Sequence, residues 1–250
     1  MKDTIYFKQA DLLLQILPML RELPQFALKG GTAINFFIRN LPRLSIDIDL
    51  VYLPLNQRDE ALNDISDCLE KLSGLIAERL TNVKIFPKRT VGSNFITALI
   101  VNMAGITVKI EPNLVVRGIV FPTERRELCS SAQQLFERSL STNTLSLADL
   151  YGSKICAALD RQHPRDLFDV HLLLQNEGLT DDVRTAFIVY LLSHPRPMVE
   201  LLQPNPQDIR PIYEQEFKGM SFQELKFEEL IETRKYLFEK MKTWLTNEEK

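Results

Sequence analysis

Cysteine is scarce in this 250-residue sequence: Cys68, Cys129 and Cys156 are widely spaced, odd in number and never in a CxxC pair. That pattern argues against a disulfide framework and a cysteine zinc site, and it fits a reducing cytoplasm. His163, His171 and His194 lack metal-ligand spacing with one another or with the cysteines, so they read as structural. A bilayer-length apolar run is also missing. Leu12-Leu13-Leu14-Gln15-Ile16-Leu17, broken up by Asp11, Gln15 and Arg21 and without a basic leader, reads as an amphipathic helix and points to no membrane partner. Neither sign of charge dominates: a formal net charge of -3 provides no generic coat for DNA or lipid, and any nucleic-acid contact must come from a local patch. Repeats and low-complexity tracts are absent, and 45% hydrophobic with 25% charged residues is the balance of an ordinary globular chain.

What is present concentrates between Leu28 and Leu53. Gly30-Gly31 precedes a short helical passage, Ala33 to Asn40, and two glycines there allow a tight turn, close backbone approach to a ligand and free amides for an anion such as phosphate. Next, Ile46, Ile48 and Leu50 alternate with Ser45, Asp47 and Asp49, so a strand puts a hydroxyl and two carboxylates on one face. Neighbouring carboxylates repel by roughly 1 kcal/mol in water and more when partly buried. Magnesium is the natural guest, since it takes one or two carboxylates and fills its other positions with water and phosphate oxygens. A glycine turn beside an Asp-x-Asp strand therefore reads as a nucleotide-handling site.

The spacing predicts a first helix over 7–22 with Pro18 kinking or splitting it, and a long one over 58–80. Strands are expected at Val83 to Phe86, Phe95 to Asn102, Ile106 to Glu111 and Val115 to Phe121, with turns such as Gly92-Ser93 between them. In the third strand Lys109 and Glu111 share the polar face, and beside the Asp-x-Asp strand Glu111 becomes a third acid at the metal; the competing reading is a salt-bridge pair. Beyond residue 124 the pattern turns helical, roughly 128–139, 146–161, 164–177, 181–193, 206–218 and 221–245, with Ser139 to Thr144 as the most linker-like stretch and Glu248-Glu249-Lys250 as a solvated tail. Lys154 follows Leu147, Leu150 and Tyr151 on an inward face, and Pro164 suits the first position of a helix carrying Asp166 and Asp169. Lys154 could hold a triphosphate while a nearby carboxylate orients a hydroxyl, or the three could be a structural ion-pair cluster. Lys84, Lys88, Arg89, Arg117, Arg125 and Arg126 are either an RNA-facing patch or scattered solvated charge.

Lys29-Gly30-Gly31-Thr32-Ala33 with Ser45 to Leu50, followed by Lys154 to Leu159 and by Pro164 to Val170, resembles the AbiEii/AbiGii nucleotidyltransferase toxins of the DNA polymerase β-like superfamily. The resemblance implies an α+β chain: a polymerase β-type domain with a small mixed sheet over 1–139, then an all-helical domain over 140–250 that completes the active-site cleft. It also implies Gly30, Gly31 and Thr32 at the phosphates with Ser45 beside them, and two magnesium ions on Asp47 and Asp49, joined by Glu111. Lys154 would hold the nucleotide, Glu111 would act as base, and Asp166 or Asp169 would assist the acceptor. The implied activity is transfer of a nucleoside monophosphate from a triphosphate to an acceptor, often tRNA, by a toxin encoded beside an antitoxin. The alternatives are a small-molecule, antibiotic-type nucleotidyltransferase and a non-catalytic nucleotide-binding module.

Overall fold

The computed structural model describes residues 4–90, 92, 94–223, 225–246 and 249. Ser93 of the expected turn and Glu248 and Lys250 of the expected tail lie outside the described residues. The described chain divides into two compact units, one made of residues 4–119 and 123–145, the other of 120–122 and 146–249.

The first unit opens with α1 (Ile5–Ile16), capped by the Thr4 hydroxyl, which accepts from the Phe7 amide. At Leu17–Glu22 the chain tightens into a 3-10 turn with Pro18 inside it, as a residue lacking an amide hydrogen favours. Then come β1 (Phe26–Lys29), α2 (Gly30–Ala33) running on into a π-helical turn at Ile34–Ile38, β2 (Asp47–Tyr52), α3 (Arg58–Arg79), β3 (Val83–Arg89), β4 (Ile96–Met103), β5 (Ile106–Pro112), β6 (Glu124–Glu127), α4 (Ser130–Phe136) and β7 (Ser141–Thr144). The seven strands form one sheet in the order β3-β4-β5-β2-β1-β7-β6. It is mixed: β2 runs parallel to β5 and β1 to β7, and the other neighbours are antiparallel. Leu99, Val101, Val108 and Ile110 alternate onto one face and are fully buried, with α1 packed on β5 and α3 on β3 and β4. The opposite face carries Ile100, Asn102, Thr107 and Lys109, all less buried.

Three strands defy the sequence pattern. β1 is buried on both faces along Phe26, Ala27 and Leu28, so it shows no alternation. β6 is Glu-Arg-Arg-Glu, a charged edge strand, and β7, in the stretch that reads as a linker, is Ser-Thr-Asn-Thr with Thr142 and Thr144 buried. The strand expected over Val115–Phe121 does not form, because its amides are satisfied elsewhere. The Asn113 side chain accepts from the Val115 and Val116 amides at 2.9 Å each, and Gly118, at φ 77°, donates to the Tyr52 carbonyl.

In the second unit the helices are α5 (Leu147–Asp160), α6 (Pro164–Gln175), α7 (Asp181–Leu192), α8 (Met198–Leu202), α9 (Arg210–Ile212) and α10 (Phe227–Trp244). The helix expected over 206–218 is only α9 followed by a π-helical turn at Tyr213–Phe217. α5 and α7 pack closely at Gly152, where a Cβ would lie 2.7 Å from the Phe187 amide nitrogen and 2.8 Å from the Ala186 Cβ. The Asp149 carboxylate, fully buried, accepts from the Val120 and Phe121 amides, the Ser146 hydroxyl and the Tyr190 hydroxyl, which satisfies a charge that would otherwise be costly there. Among the described residues no helix is long and apolar enough to cross a membrane.

Candidate functional site

In the first unit the glycine turn and the carboxylate strand are direct neighbours. β1 and β2 are antiparallel with Lys29 opposite Asp49, so the turn that follows Lys29 begins beside the acids. Gly30 has φ 69°, a left-handed conformation, and a Cβ there would stand 2.3 Å from Asp49 Oδ2. Only glycine lets this carboxylate lie against the turn. Gly31 is crowded from the other side: its Cβ would meet Arg43 Nη2 at 2.7 Å and Ser45 Oγ at 3.1 Å.

Polar groups beneath the turn hold it. The Asn35 amide donates to the Gly31 carbonyl at 2.9 Å, and the buried Thr32 hydroxyl donates to the Asp47 carbonyl at 2.6 Å while its oxygen lies 2.9 Å from Ser45 Oγ. Thr32 and Ser45 thus tie the turn to the start of β2 through their hydroxyls. Arg43 is not among the residues expected at the site, yet its guanidinium is 1% exposed and donates to the Leu44 carbonyl beside the turn. A charged side chain flanked by Leu41, Pro42 and Leu44 was the available signal.

Asp47 and Asp49 are half-buried on one face of β2, with Ile48 and Leu50 in the core behind them. The parallel register sets Asp47 beside Lys109 and Asp49 beside Glu111, so all four project from the same face. Lys109 and Glu111 form an ion pair on that face, 35% and 48% exposed. The Asp47 and Asp49 pair, reachable from solvent and set against a glycine turn, suits magnesium, which keeps water and phosphate on its remaining positions. Among the described residues no group of three or more His, Cys, Asp or Glu side chains is arranged to hold a metal ion.

Lys154, Asp166 and Asp169 come together in the second unit. Lys154 Nζ lies 2.8 Å from Asp166 Oδ1 and 3.1 Å from Asp169 Oδ2, and all three side chains are buried. The Asp166 carboxylate also accepts from Arg161 Nε at 2.6 Å and Nη2 at 3.1 Å. Burial pushes the Asp166 carboxyl up, but the charges and hydrogen bonds of Lys154 and Arg161 outweigh it and hold the group well below the usual carboxylate range. The positions follow from local sequence: Pro164 occupies the first turn of α6, and His163 caps it by accepting from the Arg165 amide. The cysteines offer no rival chemistry. Among the described residues none forms a disulfide, and burial together with Asp64 pushes the Cys68 thiol up to about 11.

The first unit is a mixed sheet bearing an aspartate pair against a glycine turn, the second a set of helices with a buried lysine, and the family comparison makes the chain a nucleotidyltransferase. A family model described as "Nucleotidyl transferase AbiEii toxin, Type IV TA system" matches residues 11–240. The chain belongs to the AbiEii nucleotidyl transferase toxin family, whose members are toxins of type IV toxin–antitoxin systems. Among solved structures it is similar in fold to MenT4, nucleotidyltransferase toxin Rv2826c from Mycobacterium tuberculosis H37Rv, at 16% identity and a TM-score of 0.72, covering 98% of this chain and 86% of that one. No curated protein matches.

Proposed function

We propose that this toxin is a cytoplasmic, magnesium-dependent enzyme that transfers a nucleoside monophosphate from a nucleoside triphosphate to an RNA hydroxyl, with tRNA as the acceptor. The observation that carries the reading is the contact between turn and acid: Gly30 lacks a Cβ where Asp49 Oδ2 stands, so phosphate-facing backbone and metal-facing carboxylate share one spot. The acceptor oxygen attacks the α-phosphorus, the bond from that phosphorus to the β-phosphate bridging oxygen breaks, and pyrophosphate leaves. Glu111, in register with Asp49 and open to solvent, takes the hydroxyl proton. Asp166 is the poorer base, because its carboxyl is held far below the range that accepts a proton near neutrality.

The backbone of Gly30 and Gly31 lines the phosphates, and the buried hydroxyls of Thr32 and Ser45 hold that turn from behind. Asp47 and Asp49 hold the magnesium ions, with Glu111 beside them. When bound, magnesium supplies Lewis-acid neutralisation of charge on the phosphate oxygens. Lys154 holds the nucleotide as a point charge, its ammonium fixed by Asp166 and Asp169.

The test is to mix purified protein and magnesium with total tRNA, an aminoglycoside and each labelled triphosphate in turn. Label should enter tRNA with wild type and vanish with Asp47→Ala. Label on the aminoglycoside would instead make it a small-molecule transferase, and triphosphate binding without transfer to any acceptor would make it a nucleotide-binding module.

A further inference from the structure

The sheet face that carries the acids does not stop at β5. Register runs straight across it: Asp47 lies beside Lys109, Lys109 beside Ile100, and Ile100 beside Phe86 on the edge strand β3. Residues side by side in register point the same way, so Phe86 and its i±2 neighbours Lys84 and Lys88 share the face of Asp47. Phe86 is 54% exposed and both lysines are exposed. More than half of the Phe86 surface is thus open to solvent, between two cations on the same face.

We propose that the Lys84-Phe86-Lys88 row is a landing platform for a single-stranded segment of the RNA acceptor, a base stacking on Phe86 and backbone phosphates meeting the two lysines. The inference rests on the reading that the acceptor is RNA. Three features favour that occupant. An aromatic flanked by cations at alternate strand positions provides a stacking surface and charge for the backbone, the two components of sequence-tolerant single-strand binding. The patch is basic in a chain whose net charge is -3, so it is complementary to a polyanion without any generic coat. Distance fits too: three inter-strand steps of about 4.8 Å separate Asp47 from Phe86, roughly 14 Å, which about four stacked nucleotides of roughly 3.4 Å would span.

The rival occupant is a protein strand added to the edge. Pro87 argues against it, because it removes an amide donor from β3, and the lysines blunt the edge further.

The experiment uses the full chain without triphosphate and reads the binding of a fluorescein-labelled, unstructured RNA decamer by anisotropy across a salt series. The same decamer annealed to its complement serves as the duplex control. Phe86→Ala should weaken single-strand binding about tenfold and leave duplex binding unchanged. Lys84→Gln with Lys88→Gln should lower the slope of log affinity against log salt by about 1.4, for two phosphate contacts. Circular dichroism and a melting curve check that each variant is folded, which exposed edge positions should allow. Wild-type affinity in both folded variants overturns the proposal. So does a Phe86→Ala change that turns a dimer into a monomer in size-exclusion chromatography with RNA affinity unchanged, which makes the face a protein contact. Because binding is read without transfer, the two readings fail separately: RNA bound through β3 but never labelled sinks the transferase's acceptor, while RNA labelled with affinity indifferent to Phe86 sinks the platform.

Discussion

The acids of the two units live under opposite electrostatic regimes. Asp47 and Asp49 sit half-buried on an open strand face, with a glycine cleared away in front of Asp49. Asp166 and Asp169 are 1% and 0% exposed and closed around Lys154, with Arg161 on the outer side of Asp166. A metal that must carry water and phosphate needs carboxylates it can reach, whereas the carboxylates of a buried ion cluster are committed to their own cations. On the proposed reading the chemistry falls to the first pair, while the second pair fixes the Lys154 ammonium. That reading also predicts that the two sets fail differently when mutated.

The largest effect falls on stability. Lys154→Ala leaves two buried carboxylates without their shared cation, and breaking such a cluster costs about 3–5 kcal/mol. The urea midpoint should drop accordingly, along with transfer. A midpoint within experimental error of wild type would mean the cluster is not the closed unit described here. Asp49→Asn, by contrast, should keep the urea midpoint and lower transfer at least about a hundredfold, as losing a group that stabilises developing charge does. If Asp49→Asn unfolds the chain as readily as Lys154→Ala does, the contrast between the two regions collapses.

Gly30→Ala comes next and tests the link between turn and acid. The new Cβ would stand 2.3 Å from Asp49 Oδ2 and 3.1 Å from its Cβ, so the carboxylate must rotate away, and φ 69° is itself strained for alanine. We expect a stability loss of roughly 1–3 kcal/mol from backbone strain, together with a loss of transfer close to that of Asp49→Asn. An active Gly30→Ala enzyme would separate the glycine turn from the acid it touches.

How much of this was legible depended on whether a residue's signal is local. The Asp47 and Asp49 face could be read because alternation with Ile48 and Leu50 is a property of one strand. The start of α6 could be read because Pro164 and the first-turn Asp166 are local signals, although the cap itself is supplied by His163. β6 and β7 could not, since Glu-Arg-Arg-Glu and Ser-Thr-Asn-Thr become strands only through pairing with each other and, for Thr144, with Leu28. The Val115 to Phe121 run had strand-like composition, but the Asn113 side chain takes two of its amides, an outcome that composition does not encode. Arg43 left only its apolar flanks as a signal for a similar reason: a buried guanidinium is justified only by the fold around it.

The smallest effect concerns pH, and it belongs to the second unit. Burial pushes His163 and His171 below the ordinary histidine value, against the opposing pull of Glu216 on the first and Glu229 on the second. His163 also faces Arg165, Asp166 and Arg161, and His171 Nδ1 lies 2.8 Å from the Thr233 hydroxyl. As pH falls through about 6.5 the unfolded chain takes up these protons before the folded one does. The unfolded state then binds more protons, so stability falls with falling pH across this window and is fully retained above it. Melting curves from pH 7.5 down to 5 should show the decline. It should flatten in His163→Asn with His171→Asn, since asparagine at 163 can still cap α6 and neither replacement titrates. An unchanged pH slope in that double variant would move the sensitivity away from these two buried histidines.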